Sequence, residues 1–221
     1  AMADDASALF LNPAGLTNLD HPEAALMYGK PLFGTEGLDL TQGYLALGMP
    51  LGKKWAFGLG GTAFRGAGLL SEYQGVSGLS ARLGSKIAVG LQASYLYHNY
   101  EIGSDPAYAS LPVFANGTDK GNVSFGAGLL AFVSPKLQVG ASIRHANSPD
   151  VGLQEKDPVP RELRLGSLYR TRWANLLLEV EQRDDGLGSP SSITSTWKLG
   201  TENPFKTLFD KIGQVSAMVD M

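Results

Sequence analysis

The chain contains no cysteine, which rules out disulfide staples, thiolate metal sites and thiol redox chemistry. Charge is also scarce. Only 18% of the residues are Asp, Glu, Lys or Arg, below the roughly 25% of an average domain. The net charge of −3 leaves no basic footprint for nucleic acid. The 3 histidines, His21, His98 and His145, are too far apart for an i,i+4 pair or an HExxH motif. His98 and His145 fall at expected strand ends, where interfacial or loop solvation is the expected role. No apolar run reaches about 18 residues, so a membrane-spanning helix is excluded. Ala1-Met2-Ala3-Asp4 has neither a basic n-region nor an apolar h-region, so it does not read as a signal peptide. There is no Gly-x-Ser-x-Gly elbow. The glycine runs Gly58-Leu59-Gly60-Gly61 and Gly126-Ala127-Gly128 open no helix that would cradle a phosphate. No enzymatic activity, cofactor or metal is expected.

Glycine, in contrast, is abundant: 28 of 221 residues, well above the roughly 7% of average usage. These glycines fall in a period-two pattern. Trp55, Phe57 and Leu59 alternate with Ala56, Gly58 and Gly60. Ile87, Val89, Leu91, Ala93, Tyr95 and Tyr97 alternate with Ala88, Gly90, Gln92, Ser94, Leu96 and His98. Val123, Phe125, Ala127 and Leu129 alternate with Ser124, Gly126 and Gly128, and Leu137, Val139, Ala141 and Ile143 with Gln138, Gly140, Ser142 and Arg144. Such alternation predicts β-strands with one large apolar face and one small or polar face. Strands are expected at about 24–32, 40–50, 54–65, 72–83, 86–102, 121–133, 136–147, 161–172, 174–184 and 193–203. An eleventh at 212–220 is ambiguous, because Leu208, Ile212, Val215 and Val219 also suit a helix.

Gly52-Lys53-Lys54, Gly84-Ser85-Lys86 and Ser134-Pro135-Lys136 read as tight turns. The connections at about 103–122, 146–160 and 184–192 are long. Short turns on one side and long loops on the other mark a transmembrane barrel. A soluble β-sandwich is the alternative, but a second face of Gly, Ala, Ser and scattered charge would leave its core empty and polar. Trp55, Tyr95, Tyr97, Tyr169, Trp173 and Trp197 suit interface girdles. The expected fold is all-β: an antiparallel up-and-down transmembrane β-barrel with a short N-terminal hatch or plug segment. An even strand number and a terminal aromatic residue are expected of such barrels, so the chain is read as truncated or incompletely traced.

The segment Asp4 to Leu16, DDASALFLNPAGL, resembles the N-terminal signature of the FadL-like superfamily of outer-membrane barrels, at Asp5, Ala6, Ser7, Phe10, Asn12, Pro13, Ala14, Gly15 and Leu16. Val159-Pro160-Arg161-Glu162-Leu163-Arg164-Leu165-Gly166 is similar to a stretch leading into a later strand of that group. The resemblance implies a hatch over residues 1–22 that plugs the lumen, and a barrel over 23–221 forming about ten or eleven strands of a larger one. It implies the outer membrane of a Gram-negative-type bacterium, with the lipid bilayer as partner and no nucleic acid. It also implies one of two roles: passive uptake of hydrophobic, fatty-acid-like compounds, or a PorV-type docking subunit for type IX secretion or another surface complex. A soluble all-β binding protein is a third reading.

The candidate site residues follow from position. Asp5, Ser7, Phe10, Asn12, Pro13, Ala14 and Gly15 form the hatch motif. Arg144, Arg164, Arg170, Glu179, Glu181, Arg183 and Lys198 have the parity of the lumen face, either as cross-strand ion pairs or as a polar path or anchor for a ligand's carboxylate. Pairing of Asp4 or Asp5 with these arginines is expected. Leu69, Leu70, Leu111, Val113, Phe114 and Leu187 lie in loops, where they would form a groove for an apolar ligand or simply pack over the barrel mouth.

Overall fold

The structure, a computed structural model, describes residues 5–31, 39–102 and 111–184, and the backbone alone of 192–200 and 215–219. One antiparallel sheet holds eleven strands in sequence order. They are β1 Glu23–Gly29, β2 Leu40–Leu51, β3 Trp55–Gly66, β4 Leu70–Leu83, β5 Ile87–Tyr100, β6 Asp119–Phe132, β7 Leu137–Arg144, β8 Arg161–Arg170, β9 Asn175–Asp184, β10 Ser192–Gly200 and β11 Val215–Val219. Each pairs only with its neighbours in the chain, so the sheet is an open meander edged by β1 and β11. The ambiguous last segment is a strand where it is described: Val215–Val219 pairs with β10 from Trp197 to Ile193. Leu187, Leu208 and Ile212 lie outside the described residues.

The two faces divide as the alternation predicts. Leu91 and Leu165 are 68% and 62% exposed, whereas Ala88 and Leu130 on the opposite face are no more than 1% exposed. A wall of exposed leucine, valine and phenylalanine this large suits lipid, where burial in an apolar medium replaces burial in a core. Exposed Trp55, Tyr169 and Trp173 stand near the short turns, and Tyr28, Tyr73 and Tyr95 near the opposite rim. The side chain of Trp197 is outside the described residues.

The short turns keep a simple chemistry: Gly52 and Gly84 take positive φ, and Ser134 caps its own turn by accepting from Lys136 N and Leu137 N. One expectation fails on the opposite rim. The β3–β4 connection there is only Ala67–Leu69, with Ala67 and Gly68 at φ 50° and 68°, so long and short connections do not strictly alternate. A left-handed Ala67 allows the tight reversal that the sequence does not announce. Strand β7 also ends earlier than expected, at Arg144, because His145 takes φ 50° and turns the chain out of the sheet.

Candidate functional site

The N-terminal segment lies on the small-residue face of the sheet. It comprises α1, Ala8–Leu11, and a 3-10 helix, Pro13–Asn18. Asn12 joins them in an extended conformation; its Oδ1 accepts from Ala14 N, and Pro13 supplies the first helical position. Both choices suit a helix start, since an Asn side chain satisfies an orphan N–H and proline has none to lose. Ala6, Ala8, Leu9, Asn12, Pro13, Ala14, Gly15 and Leu16 are buried. Leu9 and Leu16 pack with Ala56 and Val76, and Ala14 packs with Ala88 and Leu130. Phe10 meets Tyr44 edge-on at 5.5 Å.

Glycines on the facing strands make room for this segment. A Cβ on Gly128 would overlap Asn12 Oδ1, and one on Gly90 would overlap the Pro13–Ala14 backbone. The segment is then tied down by polar contacts. Asn12 Nδ2 donates to Leu129 O at 3.2 Å and Ala141 O at 3.3 Å, bridging β6 and β7. Ser142 Oγ donates to Leu11 O at 2.8 Å. Arg82 Nη2 donates to Asn18 Oδ1 at 2.9 Å and Thr17 O at 3.3 Å, with its guanidinium 4.6 Å over the Phe132 ring. Of the hatch-motif residues, Ser7 and Phe10 are half-buried.

Among the described residues, Asp5 does not form the expected pairing with the inward-facing arginines. Asp4 lies outside the described residues. Asp5 is exposed and accepts from Ser7 N and Ser7 Oγ, closing a local turn. The arginines are engaged by glutamates instead, across β7, β8 and β9. Glu162 sits at the centre: Arg144 Nη1 is 3.0 Å from its Oε2, Arg164 Nη2 is 3.2 Å from the same oxygen, and Arg183 Nη2 is 3.2 Å from Oε1. Arg164 also reaches Glu181 at 3.0 Å and Glu179 at 4.0 Å, and Arg183 reaches Glu181 at 2.7 Å. Opposite charges at adjacent inward positions thus satisfy one another. Arg170 lies at the other end of β8, opposite Asn175. Lys198 stands opposite Leu177 in register, and its side chain is outside the described residues.

Several contributors were not singled out from the sequence. Glu162 shares the parity of Arg164 two residues later, which was the available signal. Gln74 Nε2 and Gln92 Oε1 are buried without a hydrogen-bond partner, on the inward face of β4 and β5. The polar histidine positions also need correcting. His145 is not solvated: it is buried, with Nδ1 2.8 Å from Ser124 Oγ. His98 shares the inward parity of Gln92 and lies 3.6 Å from Glu72. Among the described residues, the only His/carboxylate group close enough for a metal is Asp20, His21 and Glu23, at the exposed start of β1.

The apolar loop residues separate into two sets. Leu70, opening β4, faces Tyr100 in register, and the Tyr100 and Phe114 rings are 6.0 Å apart. Leu69, Leu111 and Val113 are exposed.

No protein-family model matches the chain, and no curated protein matches its sequence. Solved structures do match the fold. One is described as the TodX monoaromatic hydrocarbon channel, deltaS2 mutant: 14% identity and a TM-score of 0.59, over 89% of this chain and 68% of that one. Another is the crystal structure of a Pseudomonas aeruginosa FadL homologue: 11% identity and a TM-score of 0.51, over 90% of this chain and 71% of that one.

Proposed function

We propose that this chain, whose fold is that of the FadL-like outer-membrane barrels, forms most of the wall and the hatch of a passive channel for small hydrophobic molecules. The observation that supports this reading is the packing of residues 5–18 against the inward, small-residue face of the sheet, where Leu9, Asn12, Ala14 and Leu16 are buried. An inward face covered in this way suits slow, selective passage of an apolar solute better than free diffusion of water-soluble ones.

In this reading Leu70, Tyr100 and Phe114 form the mouth that first holds the ligand. Gln74 and Gln92 offer their unpaired amide groups to its polar end. The charge network of β7–β9 fixes the wall on the far side of the hatch, and no energy source is required.

One observation favours a docking barrel instead: the inward charges interlock with one another, and Leu111 and Val113 present apolar surface on an exposed loop. The two roles separate on purification. Proteoliposomes holding the channel take up a hydrocarbon such as labelled toluene faster than protein-free vesicles, and deletion of residues 5–18 changes that rate. Uptake equal to protein-free vesicles, together with a tightly co-purifying protein, would favour docking.

A further inference from the structure

Arg65 is a cation on the lipid-facing side. It lies one residue before the end of β3, at the same parity as Trp55, Phe57 and Leu59. Its Nε and Nη2 both donate to Tyr73 Oη, at 3.3 and 3.2 Å, and among the described residues no carboxylate lies within ion-pair distance of it. The phenol oxygen accepts both bonds, so its own hydrogen remains available to an acceptor. Arg65 and Tyr73 border a concavity of about 530 Å³ on this outer face.

The other charges bordering the concavity already have partners. Asp39 pairs with Lys30 at 2.9 Å, and Glu101 accepts from Ser71 Oγ at 2.6 Å. The rim is also held by backbone bonds: Ala67 N donates to Asp39 O at 2.8 Å and Glu101 N to Leu69 O at 2.9 Å. Arg65 therefore makes no ion pair among the described residues, and its guanidinium hydrogen-bonds only the Tyr73 hydroxyl there. Next to it, toward the middle of the strands, the outer face is bare. Gly43 stands opposite Ala63, and Gly61 opposite Gly75, with Tyr28, Tyr73 and Tyr95 on the borders.

We propose that this rim binds the phosphate of an outer-leaflet lipid. The phosphate sits between the free N–H groups of Arg65 and the hydroxyl of Tyr73, and an acyl chain lies along the glycine-floored trough. Height favours this occupant: tyrosines on a barrel's lipid face mark the headgroup level, and a guanidinium binds phosphate with several N–H bonds at once. An apolar ligand would leave the remaining N–H groups of Arg65 without an acceptor at the membrane boundary. A soluble anion would leave the trough unused.

The test is native mass spectrometry of the purified barrel in detergent with added dioleoyl phosphatidic acid, dioleoylglycerol or inorganic phosphate. The expected result is one retained phosphatidic acid and no retention of the other two. Removing a charge-assisted hydrogen-bonding group should lower retention roughly tenfold in Arg65→Gln. Gly75→Leu, whose added Cβ meets nothing within 4 Å, fills the trough and lowers retention without touching the charge. Lys53→Gln, in the turn at the opposite rim, leaves it unchanged. Equal retention by Arg65→Gln and the parent overturns the proposal, as does an equal loss in Lys53→Gln. Retention of dioleoylglycerol would reduce the site to an apolar trough, and binding of inorganic phosphate alone would make it a site for soluble anions; either result also overturns the proposal.

Discussion

The side-chain amide of Asn12 donates to the main-chain carbonyl of Leu129, 117 positions later in the chain, and to that of Ala141 beyond it. One short side chain thereby joins the N-terminal segment to two neighbouring strands of the wall. Asn12→Ala removes both bonds and the cap on Ala14, and should cost about 1–3 kcal/mol. Asn12→Asp keeps the cap but turns a donor into a carboxylate facing two carbonyl oxygens, and should be at least as damaging. Thermal melting in detergent, with limited proteolysis at residues 5–18, measures both. Unchanged melting and protection in Asn12→Ala would mean that the segment is held by apolar packing alone.

Gly128 faces Asn12 closely enough that any Cβ overlaps the amide oxygen. Gly128→Ala should therefore displace the segment at a cost of about 1–3 kcal/mol. Gly75→Ala, on the opposite face of the sheet with open space around it, should stay within about 0.5 kcal/mol. Equal melting temperatures for the two variants would remove the case for a glycine cradle.

Glu162 accepts from three arginines. Glu162→Gln leaves Arg144 without its carboxylate and Arg164 and Arg183 with fewer, and breaking a buried pair from one side costs about 3–5 kcal/mol. Replacing Arg144 and Glu162 together by Met and Leu should cost less than the single change, because no charge is then left uncompensated. A double-mutant cycle on melting checks this, and purely additive losses would count against the network.

Asp150 ties the β7–β8 loop together. Its Oδ1 accepts from Gly152 N at 3.0 Å and Asp157 N at 2.9 Å, and Lys120 lies 3.6 Å from Oδ2. These backbone N–H bonds, from Asp157 first and then Gly152, hold its pKa below the usual carboxylate value of 3.8. Because the folded pKa is depressed, the stabilisation is complete above the ordinary carboxylate range and is lost as pH falls through the lowered value. Proteolysis of residues 145–160 with an acid-active protease should be slow near pH 5 and accelerate as the pH falls below the ordinary carboxylate range. In Asp150→Asn the loop should be cut with little pH dependence across that window, and a parent-like acceleration there would assign the effect elsewhere.

Leu165 lies on the lipid-facing side of β8. A positive charge at such a position costs roughly 2–4 kcal/mol near the bilayer midplane. Leu165→Arg should fold into vesicles poorly, whereas Leu165→Ala should insert with only a modest loss. Equal insertion of the two would argue that this face is not against lipid.

The division of the wall into two faces was legible in the sequence, because a strand's side chains alternate whatever surrounds them. Ten strands followed from that periodicity and even the eleventh was among the options it left open, but the tight Ala67–Leu69 reversal and the early end of β7 did not. The N-terminal Asn-Pro-Ala-Gly motif was visible as residue types, and so was the inward charge on β7–β9. The sequence by itself therefore determined a Gly-rich, two-faced meander and which residues point to each side. The tertiary structure alone decided partnership. Glu162, not Asp5, answers the arginines, since register places β7, β8 and β9 side by side and leaves Asp5 to its own turn with Ser7. Asn12 finds carbonyls more than a hundred residues away, and Gly128 proves to be space reserved for it. His145 is buried, because a left-handed backbone ends β7 early and folds its side chain against Ser124. Alternation fixes which face a residue points to, but not which of the residues on that face will be neighbours; strand pairing and the seating of the N-terminal segment settle that.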